Sequence, residues 1–156
     1  MNPLGAALVL TFCILVFVLP RWAAAVTIIA SVCYITQGQE LNLGFHFTAI
    51  RLVLLAALVR ASARGELRQI PPHRIDRTLL AYAVGITLIA SVRSGTSDEF
   101  LYPVGWLYNV LFSYFAFRAL VRDSEDLRRI LRGSALVLSP FTLLLVRESL
   151  TNSNLF

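Results

Sequence analysis

Few side chains in this chain are able to do chemistry, and most of those are arginines. Arg51 stands inside the apolar run AIRLVLLAALV, where a permanent charge is costly unless it meets an anion or reaches water. A guanidinium donates to two phosphate oxygens at once, so an arginine so placed fits a lipid-linked phosphate or an acid from a neighbouring helix. The other reading is an interfacial anchor whose side chain snorkels outward. Arg93 lies near Asp98 and Glu99, and Arg147 beside Glu148; these are weaker candidates. The first group reads as a solvated loop or as partners for one another and for Arg51, the second as a salt bridge or the start of a binding surface. His46 and His73 have no second histidine or carboxylate at ligand spacing, so no metal site is expected. Cys13 and Cys33 fall in apolar segments with neither zinc nor disulfide spacing, and no cofactor is expected.

The elements that position these residues are apolar and short. With 57% hydrophobic and 15% charged residues in 156, the chain is far from a soluble domain and reads as an integral membrane protein, all-α and polytopic. Apolar segments are expected at Leu4 to Leu19, Trp22 to Thr36, Phe45 to Val59, Thr78 to Val92, Phe100 to Val121 and Gly133 to Val146. The first two are shorter than the roughly 20 residues of a full span, so they are two short helices or a hairpin that partly crosses. A signal peptide is the alternative for the first, but Met1-Asn2-Pro3 lacks a basic start and Arg21 interrupts the approach to Ala23-Ala24-Ala25. Gln37 to Gly44 and Arg93 to Glu99 read as polar turns. Arg51 falls about seven residues into the third segment, roughly 10 Å deep at 1.5 Å per residue, unless that segment begins nearer Thr48. Ser124 to Arg132 reads as a surface helix or as the exposed first turns of the sixth segment, which Pro140 is expected to kink. Small residues at Ala24, Ala25, Ala81 and Gly85 permit close helix contact.

The basic balance carries topology. The chain has fourteen arginines and no lysine, five of them from Arg60 to Arg77 and five from Arg118 to Arg132, so nucleic-acid binding is a poor reading. The positive-inside rule puts those two loops and Arg21 in the cytoplasm, and the Gln37 turn, the Arg93 loop and both ends outside. That alternation predicts six crossings, with five as the alternative. The arginines there fix topology and touch anionic lipid, at about 1 kcal/mol each.

Several runs together resemble a known family. They are Pro20-Arg21, Gln37-Gly38-Gln39 to Phe47-Thr48-Ala49-Ile50-Arg51, Arg60 with Gly65-Glu66, Tyr108 to Arg118, Arg122-Asp123-Ser124-Glu125-Asp126, and Arg147-Glu148 to Asn154-Leu155-Phe156. The chain resembles the N-terminal part of O-antigen ligase/polymerase-like membrane proteins. The resemblance implies a larger protein of the bacterial inner membrane that transfers saccharides from an undecaprenyl-diphosphate carrier at the outer face. The family's large extracytoplasmic loop would follow Phe156, so this part is not expected to be catalytic by itself. Arg51 maps by the resemblance to diphosphate-lipid binding. The alternative is a small non-catalytic multi-pass protein, a transport subunit or scaffold.

Overall fold

The computed structural model describes residues 3–35, 40–42, 46–93, 95 and 97–151. Six helices account for most of them: α1 (Pro3–Val18), α2 (Arg21–Tyr34), α3 (Ala49–Ala63), α4 (Arg74–Arg93), α5 (Ser97–Leu120) and α6 (Ser124–Thr151). Between α2 and α3 a two-stranded antiparallel ribbon pairs β1 (Glu40–Asn42) with β2 (His46–Thr48), in the register Glu40 to Thr48 and Asn42 to His46. Pro20 stops α1 and opens α2, because its ring fixes φ and removes an N–H that a continuing helix would need.

The helices form a layered bundle. α3 lies against α1 and α5, α2 against α1 and α6, and α4 is held chiefly by α5. Where they meet, the core is built of small and branched residues: Val16, Ala24, Ala25, Ile28, Val53, Ala57, Ala116 and Leu120 are all buried. Alanine at so many contact positions lets backbones approach closely, which matters where apolar lipid removes the usual hydrophobic drive between helices. Ala24 and Ala25 do this as expected, but Ala81 is exposed and Gly85 has nothing near it. On α4 the buried positions are instead Ala83 and Ala90, set by which face meets α5.

Among the described residues three helices are long and apolar enough to cross a membrane: Arg74–Arg93, the Phe100–Leu120 part of α5, and Ser124–Thr151. Their large apolar side chains point outward; Val92 on α4 is 89% exposed and Leu136 on α6 is 76% exposed. Such surfaces are unfavourable in water and natural against hydrocarbon. The other three helices run 14 to 16 residues.

Several boundaries differ from the sequence expectation. The third helix starts at Ala49, not Phe45, because residues 46–48 pair in the ribbon, and backbone groups engaged in a ladder cannot enter a helix. Asp98 and Glu99 do not sit in a loop; their backbone belongs to the first turn of α5. α6 runs from Ser124 through Pro140 to Thr151, so Arg147 and Glu148 belong to a helix and not to an emerging loop. Its start agrees with the exposed first turns of a span rather than a separate surface helix. The Asp123 carboxylate accepts from the Asp126 N–H at 2.6 Å and so opens it. Of the Gln37 turn, residues 40–42 form β1, while the rest of that turn and the tail after Thr151 lie outside the described residues.

One end of the bundle gathers the arginines. Arg122 donates to Gln69, and Arg118 pairs with Asp76 and donates to the Pro71 carbonyl, so the loops before α4 and after α5 meet. Tyr114 completes this latch by donating to Asp76 at 2.8 Å. Arg64 reaches the Phe17 carbonyl at 2.6 Å, tying the end of α1 to the same level. The two arginine-rich loops thus share one end of the molecule.

Candidate functional site

Arg51 lies in the first turn of α3, shallower than a start at Phe45 would put it. Its side chain crosses to α5. Nε donates to Asn109 Oδ1 at 3.3 Å, and Tyr108 donates its hydroxyl to the Arg51 carbonyl at 2.9 Å. Residues 105, 108 and 109 of α5 are spaced i, i+3, i+4 and so fall on one face. Gly105 is the floor of that face. A side-chain carbon there would lie 3.0 Å from Arg51 Cζ and 3.3 Å from Nη1, and closer still to Nη2. The guanidinium therefore lies over bare backbone, a position only glycine leaves open.

Below this cradle runs an apolar groove of about 380 Å³ between α2, α3 and α5. Ile28, Ile29 and Val32 form one wall, Ile50 and Leu54 another, and Phe117 with Ser113 the third. Asn109 belongs to both features, lining the groove while its oxygen holds Arg51. A second apolar groove of about 340 Å³ lies between α1 and α3, lined by Val9, Cys13, Phe17, Leu52 and Val59 among others. Among the described residues no arginine lines it.

Comparison with family models, with curated proteins and with solved structures finds no match to this chain. The site is therefore read from its own chemistry.

The remaining candidates are not drawn into it. Arg93 is exposed at the end of α4, Arg147 is exposed and Glu148 half-buried near the end of α6. The pairing expected of Asp98 and Glu99, and the His46 side chain, lie outside the described residues. His73 does local work at the start of α4: its N–H donates to Asp76 Oδ2 at 2.8 Å, and its Nδ1 accepts from the Ile75 N–H at 3.3 Å. Among the described residues no three His, Cys, Asp or Glu side chains stand close enough to hold a metal.

Sequence reasoning missed Arg60 and Glu66 as a pair. The α3 helix ends in a left-handed turn at Gly65, φ 67°, where Glu66 N donates to Ala61 O at 2.8 Å and Gly65 N to Ser62 O at 3.1 Å. This turn folds Glu66 back beneath the helix, 3.6 Å from Arg60 Nη2. Arg60 is 0% exposed, and its three guanidinium nitrogens have no hydrogen-bond acceptor among the described residues. A glycine five residues after an arginine, followed by an acid, was the available signal.

Proposed function

We propose that this chain is the membrane portion of a lipid-linked saccharide transferase of the O-antigen ligase or polymerase type, and that Arg51 holds the diphosphate of the carrier lipid. The observation that carries this reading is Asn109, which joins a cationic head site to an apolar groove. A polyprenyl diphosphate has the matching form, a charged head on a hydrocarbon tail. Its head would meet the guanidinium and the positive end of the α3 helix dipole, and both favour an anion. Its tail would replace lipid in the groove between α2, α3 and α5.

The proposed topology is six crossings in the bacterial inner membrane, with the arginine-rich end in the cytoplasm and Arg51 toward the outer face. The shared end of the two basic loops supports it, since the positive-inside rule needs them on one side. Arg51 is removed from that end by the stretch from Arg51 to Arg60, roughly 14 Å of helix. The three shorter helices would be accommodated by local thinning of the bilayer or by the snorkelling of flanking residues such as Arg21.

The test is binding of undecaprenyl diphosphate to the protein in phosphatidylcholine nanodiscs. Arg51→Ala should weaken it by about 100-fold, the worth of two charge-assisted hydrogen bonds, with the helical content unchanged. Arg51→Lys should recover only part, because an ammonium lacks the planar fork. Unchanged binding by Arg51→Ala would remove the reading.

A further inference from the structure

We infer that Gly105 is a positioning residue for this head site, setting how strongly the site prefers a diphosphate lipid over its uncharged alcohol. The inference rests on the Arg51 reading above, and the experiment separates the two. The guanidinium lies this close to α5 only because residue 105 has no side chain; the three atoms nearest to an added Cβ there, Nη2, Cζ and Nη1, all belong to Arg51. A methyl group at this point would push first against the far end of a flexible side chain. The helix would stand, since alanine is the better helix former, and the guanidinium would move.

That movement has a defined direction. Asn109 holds Nε one turn along the same face, and Tyr108 fixes the Arg51 backbone through its carbonyl, so the root of the side chain stays in place. The displaced part is the fork, swung away from α5 and out of register with an anion seated at the mouth of the groove. Head recognition suffers while the groove walls, Ile28, Val32, Leu54 and Phe117, keep their places. Gly105 therefore acts on discrimination between ligands and not on the apolar contribution they share.

The full chain in phosphatidylcholine nanodiscs is titrated with three probes: geranylgeranyl diphosphate, geranylgeraniol and inorganic pyrophosphate. Gly105→Ala should lower affinity for the diphosphate lipid by about 10-fold, the loss of one charge-assisted hydrogen bond, and leave geranylgeraniol within about 2-fold. Gly105→Ala added to Arg51→Ala should change nothing further, because the two act as one unit. Pyrophosphate alone should bind more weakly than the diphosphate lipid to the wild type and show the same ordering of variants. Wild-type binding by Gly105→Ala beside a loss in Arg51→Ala would overturn the role of Gly105 and spare the Arg51 reading. A further 10-fold loss in the double variant would also overturn it, since Gly105 would then act through packing. Should Gly105→Ala fail to fold, the double variant is expected to fold, as the obstructing side chain is gone; its failure would sink the proposal. Undiminished binding by Arg51→Ala removes both.

Discussion

Arg51 and Arg60 stand on the same helix and differ in every respect that matters. Arg60 is sealed at the arginine-rich end with Glu66 as its ion-pair partner, whereas Arg51 is half-buried, held by the neutral Asn109, and close to a groove. A charge with an opposite charge beside it is committed to structure. Arg51 instead lies over the bare backbone at Gly105, close to the groove that Asn109 lines. The difference teaches that two arginines on one helix take opposite surroundings according to what other segments bring to them: an acid from the Gly65 turn in one case, a glycine and an amide of α5 in the other.

The comparison can be broken most severely at Glu66. Removing it by Glu66→Ala strands a fully buried guanidinium, and thermal unfolding in detergent should report a loss of about 3–5 kcal/mol. The pair Arg60→Met with Glu66→Leu should recover most of that, because two apolar side chains avoid the desolvation cost. If Glu66→Ala proves harmless, Arg60 is not the structural arginine described here. Next in size is Asp76→Asn, which weakens the latch to Arg118 and Tyr114; a loss of about 1–3 kcal/mol is expected in the same assay. Gly65→Ala should cost about 1–2 kcal/mol, since the turn that brings Glu66 beneath Arg60 needs a left-handed φ. The smallest effect on stability belongs to Arg51→Ala, at about 0.5–1 kcal/mol, the net worth of one ordinary hydrogen bond. A loss there as large as that of Glu66→Ala would erase the distinction between the two arginines.

Much of the fold was legible in the sequence because hydrophobic runs and helix breakers act locally. Pro20 parts α1 from α2, and all six expected segments recur as helices, five with ends displaced by at most four residues and the sixth beginning at Ser124 instead of Gly133 and running on to Thr151. What local pattern misread were the places where another segment intervenes. The start of α3 moved to Ala49 because Glu40–Asn42 pairs with residues 46–48, and the acids after Arg93 joined α5. Arg51 was visible as a charge in an apolar run. Its cradle was not, because Gly105 and Asn109 are ordinary residues until α5 lies against α3.

By itself, the sequence determined that this chain is helical and apolar, with ten of its fourteen arginines in two clusters and Arg51 apart in an apolar run, since composition and hydropathy are sums over neighbours along the chain. Only the tertiary structure decided which arginine is sealed and which lies over Gly105 beside a residue of the groove wall. That depends on the residues brought across by other helices and by the Gly65 turn, and a guanidinium takes its role from the partner within hydrogen-bond or ion-pair reach.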